Sequence, residues 1–136
     1  MPILSKTMMK NKATTVSFFI LFVLSLKIMA QNKQTSFVIE KGIASYYGKA
    51  FNGRKTSSGE IFYSDSLTAA HKSLKFGTMV KVTNISNDSS VIVKINDRLP
   101  KSSKRCIDLS YRSAQKLGFI KKGVAKVVVE VINKPQ

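Results

Sequence analysis

The sequence predicts a mainly β protein, a small closed barrel with one short helix, and three observations carry that reading. Residues 78–84 and 90–96 alternate apolar and polar side chains at the period of a half-buried strand. Residues 125–132 form a third run rich in β-branched side chains, and residues 110–118 alone show helical spacing. Many short strands with one brief helix in about 100 residues suit a closed barrel.

Each segment has a physical reason. Lys6, Lys10 and Lys12 precede an apolar stretch over residues 13–26, whose unbroken core is only residues 18–24. A membrane-spanning helix wants about 20 apolar residues, whereas the apolar part of a secretory signal wants roughly 7 to 15. The expectation is therefore a signal peptide over residues 1–30, cleaved after Ala30 and before Gln31, with an uncleaved anchor as the alternative. A short polar tail over residues 31–41 follows. Residues 43–47 and 62–70 are weaker strand candidates on either side of a glycine-containing loop.

Val80 and Val82 share one face of the next run, and Lys81 and Thr83 the other. Val91, Val93 and Ile95 then oppose Ile92, Lys94 and Asn96. The turn formers over residues 84–89 join these runs as a hairpin. Residues 105–109 read as a buried strand. Ser110 caps a helix whose inner face carries Tyr111, Ala114 and Leu117, and Gly118 suits the left-handed residue that ends it. Val127, Val128 and Val129 in succession predict a last strand covered on both faces.

Composition narrows the function. The chain has 136 residues, with 23 Lys and Arg against 7 Asp and Glu. Four of the basic residues lie in the first 30, which leaves 19 against 7 and a formal charge of +12 on the remainder. Such a charge favours polyanionic surroundings, of which an exported protein meets the cell envelope. No zinc finger, basic helix or aromatic-basic signature supports nucleic acid as a partner. One Cys and one His exclude a disulfide framework and a Cys- or His-based metal cluster, so no cofactor or metal is expected.

Several residues have both a structural and a chemical reading. The loop over residues 53–60, bounded by Gly53 and Gly59-Glu60, is a solvated turn or a substrate loop. It lacks the Gly-Lys-Ser/Thr ending of a phosphate loop. Ile61 and Phe62 could desolvate Glu60 and fit it for acid–base work. His71 follows an apolar and small-residue stretch, as a hydrogen-bonded structural histidine or a catalyst. Asp97 ends the strongest strand, before Pro100 stops the ladder, as a turn-capping group or an acid. Asp108 is expected to cap the helix region together with Ser110. Cys106, within a buried run, is expected to be inert.

Taken together, Gly42-Ile43-Ala44-Ser45-Tyr46-Tyr47-Gly48, Phe51-Asn52-Gly53 with the loop to Glu60, and residues 67–78 around His71 carry a resemblance. So do Val80-Lys81-Val82-Thr83-Asn84, Val93-Lys94-Ile95-Asn96-Asp97-Arg98 and Ile107-Asp108-Leu109-Ser110. In order and spacing, these stretches resemble the rare lipoprotein A (RlpA-like) family of bacterial cell-wall proteins. The resemblance covers about residues 42 to 132, and it assigns residues 42–133 to the barrel domain.

The resemblance implies a six-stranded double-psi β-barrel, the architecture of expansins, and a lytic transglycosylase acting on peptidoglycan glycan strands, with a preference for those stripped of stem peptides. It implies catalytic roles for Asp97, His71 and Glu60. Tyr46 and Tyr47 would stack on sugar rings, and Arg54, Thr56 and Arg98 would complete the substrate site. The enzyme would work as a monomer in the periplasm or cell envelope, with no stable membrane span after signal cleavage. Its rival is a non-catalytic, expansin-like wall-binding or wall-loosening module, since fold alone does not decide activity. Tyr46 stands where many members have Trp. Leu99 stands where many have Gly, so a turn with positive φ would be strained there. Many relatives are lipoproteins or carry a C-terminal peptidoglycan-binding repeat, and neither feature is visible in this chain.

Overall fold

The computed structural model describes residues 14–24 and 36–132. Residues 14–24 form helix α1, within one compact unit; residues 35–134 form a second. Phe18, Phe19, Leu21 and Phe22 of α1 are exposed. Among the described residues, no helix is long and apolar enough to cross a membrane. The expected cleavage position before Gln31 lies outside the described residues.

The second unit contains β1 (Ser36–Tyr46), β2 (Thr68–His71), β3 (Met79–Asn84), β4 (Ser90–Arg98), β5 (Ile107–Leu109), α2 (Tyr111–Leu117) and β6 (Ala125–Ile132). The strands close into a barrel in the order β1-β5-β2-β4-β3-β6. Pairing is mixed: β1 runs parallel to β5 and β2 parallel to β4, while the other four seams are antiparallel. β3 and β4 form the hairpin expected from the alternation, with Val80 opposite Val93 and Val82 opposite Val91. Those four side chains, with Ile95, Ile107, Leu109, Val127 and Val129, fill the interior.

Two boundaries differ from the sequence reading. β1 already begins at Ser36, inside the segment read as a tail, because its backbone pairs with β6 from Ser36 opposite Ile132 onward. The candidate strand over residues 62–70 shrinks to Thr68–His71, since Phe62 instead closes a loop through its amide to Arg54 O at 2.8 Å. The expectation for β6 is corrected too. Val127 and Val129 are fully buried but Val128 is only half-buried, so the strand alternates and one face stays open.

Helix α2 follows the sequence closely. Ser110 Oγ accepts the Ser113 amide at 3.2 Å, and Gly118 takes φ 75°, a conformation that costs a residue with a Cβ. The β3–β4 turn seals the helix end, because Asn84 and Asn87 both donate to Leu117 O, at 2.8 and 3.0 Å. Asp108 takes no part in this cap. It sits in β5 and binds Arg105, because its strand position turns it away from the helix. Leu99 is buried with no positive φ, so the anticipated strain is absent.

The seam between β1 and β5 needs a missing side chain. A Cβ on Gly42 would lie 2.9 Å from Cys106 Cβ and 3.0 Å from its sulfur. Gly42→Ala should therefore force the two segments apart and cost roughly 1–3 kcal/mol, the usual range for overpacking. Urea denaturation of the variant beside wild type reads this as a lower midpoint at unchanged slope.

Candidate active site

A register slip between β2 and β4 creates the site. Thr68 faces Lys94 and Ala69 faces Ile95, but Ala70 faces Asp97, so Asn96 is an extra residue on β4. Ile95 points into the core, fully buried. Strict alternation would turn Asn96 out and return Asp97 to the interior; the extra residue keeps Asp97 on the outer face.

The loop over residues 53–62 folds down onto that face. Gly53 and Phe62 pair at 2.8 Å, Lys55 bridges to Ile61, and Thr56 N donates to Glu60 O at 2.8 Å. Gly59, at φ 90°, makes the turn, in a region that favours glycine. Thr56 is buried and its hydroxyl bonds Glu60 O and Ser58 Oγ, both at 2.9 Å, so it shapes the loop. Ser58 N donates to Asn96 O at 3.2 Å, and Ser57 N donates to Asp97 Oδ1 at 2.9 Å.

Asp97 is thus the centre of a small network. Its Oδ1 also accepts the Arg98 amide at 2.8 Å, and its Oδ2 accepts the Tyr47 hydroxyl at 2.8 Å. Burial raises the carboxyl's pKa, but the Ser57 and Arg98 amides and the Tyr47 hydroxyl outweigh burial and hold it below the ordinary aspartate value. Burial first, then the Asp97 bond and charge, push the Tyr47 phenol well above its usual value. The Tyr47 ring packs against Phe62 at 5.0 Å and Phe51 at 5.6 Å, and Arg54 lies 5.3 Å over the Phe51 ring.

The structure brings Asp97, Tyr47 and, through Phe51, Arg54 together with the loop that Thr56 shapes. The side chains of the other expected residues are engaged elsewhere. Glu60 is exposed, and its carboxyl is lowered by the hydrogen bond from Lys94 at 2.9 Å and then by Asn96 at 3.2 Å. The anticipated desolvation by Ile61 and Phe62 is therefore corrected: Phe62 turns to Tyr47, and Ile61 is itself exposed. Tyr46 donates to Ile120 O at 2.9 Å and packs edge-on against Tyr111 and Phe119. His71 is buried against Glu40, and Arg98 binds the carbonyls of His71 and Leu74, both at 2.9 Å. The thiol of Cys106 is buried and pushed up to about 11, chiefly by that burial, so it is inert.

Sequence reasoning missed five contributors. Ser57 acts chiefly through its backbone amide, which no side-chain pattern reveals. Glu40 lies 31 positions before its partner His71. Arg105 binds both oxygens of Asp108, at 2.7 and 3.0 Å, and Ser45 Oγ donates to the same carboxylate at 2.7 Å. Asp108 and Asp97 flank Ala70 from the two neighbouring strands. Tyr63, half exposed, joins Glu60, Ile61, Leu67, Lys94 and Asn96 around an open groove of about 570 Å³. A smaller apolar pocket of about 380 Å³, lined by Ile43, Ile85, Phe119 and Val124, shares no residue with this groove.

Among the described residues, no group of three His, Cys, Asp or Glu could hold a metal ion. A closed six-stranded barrel of mixed pairing, with an oriented carboxylate on one strand under a polar loop, defines a double-psi β-barrel with a carboxylate site. The chain belongs to the lytic transglycolase family, whose model matches residues 39–129. It is 52% identical over 93 residues to the endolytic peptidoglycan transglycosylase RlpA of Vibrio cholerae, covering 68% of this chain and 35% of that one. It is 50% identical over 94 residues to the probable endolytic peptidoglycan transglycosylase RlpA of Synechocystis, covering 69% and 29%. The chain thus spans about a third of the length of these relatives. Among solved structures, the Clavibacter michiganensis expansin in complex with cellohexaose matches with a TM-score of 0.56 at 17% identity, covering 75% of this chain and 52% of that one. The Streptomyces papain inhibitor matches with a TM-score of 0.52 at 20% identity, covering 71% and 97%. These two likenesses concern the fold alone.

The hydrogen bond from Tyr47 makes a separate, activity-free expectation. A carboxyl whose folded pKa is lowered stabilises the fold above the unfolded aspartate value, and that contribution is lost as pH falls through the folded one. Tyr47→Phe should move the Asp97 titration upward, as read by carboxyl-carbon NMR. It should also weaken the fold most at neutral pH, the gap from wild type narrowing towards acid.

Proposed function

We propose that this chain is an endolytic peptidoglycan lytic transglycosylase that cleaves glycan strands, preferably those stripped of stem peptides, to 1,6-anhydromuramoyl ends. The observation that carries the reading is Asp97: one carboxylate, turned outward by a bulge and oriented by three donors, in a chain about half identical to proteins named for that activity. A hydrolytic glycosidase needs two carboxyl groups, one of them to activate water or attack the sugar. Here the substrate supplies the nucleophile, its own muramoyl C6 hydroxyl. One side chain then suffices: Asp97 protonates the leaving glycosidic oxygen, takes the C6 hydroxyl proton as the anhydro ring closes, and ends as it began.

Asp97 lies low in the free protein, so little of it carries the acid proton near neutrality. The sugar makes the difference. A ring seated over Tyr47 and the loop over residues 53–60 excludes water from the carboxyl and raises its pKa in the complex. Glu60, fixed by Lys94 and Asn96, offers acceptors to sugar hydroxyls in the adjoining groove, and exposed Tyr63 offers a ring face. Export to the cell envelope, guided by a signal peptide over residues 1–30, places the enzyme where this polymer lies.

The low-lying carboxylate also supports a second reading, a wall-binding module in which Asp97 only accepts sugar hydroxyls. Product chemistry separates the two. Purified protein incubated with amidase-stripped glycan should release 1,6-anhydromuramoyl ends detected by mass spectrometry, and Asp97→Asn should lower the rate by about 10³-fold or more. Folded wild type that binds the strands and releases no ends would leave the binding module standing. For the enzyme, kcat/KM should rise about tenfold per unit as pH falls from about 7 to 5, tracking protonated Asp97. A kcat/KM that is level over this range and drops towards acid would make Asp97 a base alone.

A further inference from the structure

His71 has no ring nitrogen to spare. Its Nδ1 accepts the amides of Ser73 at 3.1 Å and Leu74 at 3.0 Å, and its Nε2 meets Glu40 Oε1 at 2.5 Å. A nitrogen that accepts two amide hydrogens carries none itself, so the neutral ring holds its hydrogen on Nε2 and donates it to Glu40. The amides bound lie two and three residues ahead, the pattern an Asn or Asp side chain makes when it caps a turn. The imidazole is doing the work of a turn-capping carbonyl.

What the turn then holds is Arg98. Arg98 donates to His71 O and Leu74 O, both at 2.9 Å, and its guanidinium lies 4.2 Å over the Phe76 ring. Leu99 N adds a bond to His71 O at 3.3 Å. The chain is thereby fixed on the C-terminal side of Asp97, and the Arg98 amide donates to Asp97 Oδ1 at 2.8 Å. The Glu40 end is built as well: a one-residue bulge interrupts the β1–β6 ladder between Val38 and Glu40.

We infer that His71 is a positioning residue rather than an acid–base group, and that Glu40 is its partner. Glu40 orients the imidazole, the imidazole orders the turn, the turn clamps Arg98, and Arg98 sets the Asp97 carboxylate. Proton transfer through His71 would require it to release either Glu40 or both amides. The functional consequence rests on the role proposed for Asp97, but the relay has a readout of its own in the titration of that carboxyl.

The decisive substitution is His71→Asn, whose side-chain oxygen can accept the same amides and which cannot exchange a proton near neutrality. Relative to His71→Ala, it should rescue release of anhydro ends to within about tenfold of wild type, where alanine loses about 100-fold or more. Carboxyl-carbon NMR should find Asp97 low in wild type and His71→Asn, and shifted up in His71→Ala. Glu40→Gln, which keeps an acceptor for Nε2–H, should follow the asparagine variant, and Glu40→Ala the alanine one. If His71→Ala does not fold, the Glu40 pair carries the comparison. Asparagine as inactive as alanine, with Asp97 titrating as in wild type, would overturn the inference in favour of acid–base work. A wild type that releases no anhydro ends defeats the proposed function instead. The titrations then decide the relay, which fails if Asp97 ignores both His71→Ala and Glu40→Ala.

Discussion

One extra residue in β4 decides what this barrel can do. Asn96 breaks the period-2 pattern between Ile95 and Asp97, so a carboxylate that alternation would return to an apolar interior stands outside instead. An unpaired charge among Val93, Ile95 and Val129 would be prohibitive, and the bulge removes that conflict. It also leaves Asn96 free to bond Glu60 and to receive the Ser58 amide. The loop over residues 53–62 therefore docks on the same irregularity that exposes Asp97. Site and scaffold share a single departure from regular sheet geometry.

The electrostatics around that point are unlike those of the chain as a whole. A protein of formal charge +16 pairs its carboxylates readily, and Glu60 and Asp108 do find Lys94 and Arg105. Asp97 takes its three bonds from two backbone amides and a phenol instead. Such donors orient a carboxylate without neutralising it, and salt screens them far less than an exposed ion pair. Asp97 thus presents an aimed oxygen that no side-chain cation among the described residues covers. The general positive field acts over the whole surface, while the local donors act on one carboxylate.

Legibility in the sequence followed the range of the forces involved. The β3–β4 hairpin, the inward valines and the caps of α2 depend on neighbours in sequence, and all could be read. The outward position of Asp97 depends on a register that only β2 imposes, 27 positions away in its pairing of His71 with Arg98. Family resemblance found Asp97 as a residue, and nothing local revealed how it is presented. The desolvation expected at Glu60 is absent because Ile61 and Phe62 are its neighbours in the chain, whereas Lys94 and Asn96 are its neighbours in space. Val128 looked like part of a doubly buried run because composition alone does not tell which face of β6 is covered. The start of β1 at Ser36 was hidden in the same way, since its pairing partner lies at the far end of the barrel sequence.

The pairing of Ser36 with Ile132 places the first and last residues of the barrel side by side. Chain entering and chain leaving do so at one corner, where β1 and β6 run antiparallel. Tension between those two points would load the ladder one rung at a time, as a zipper, rather than shearing all its hydrogen bonds together. A protein tethered through both ends would open along that seam at low force.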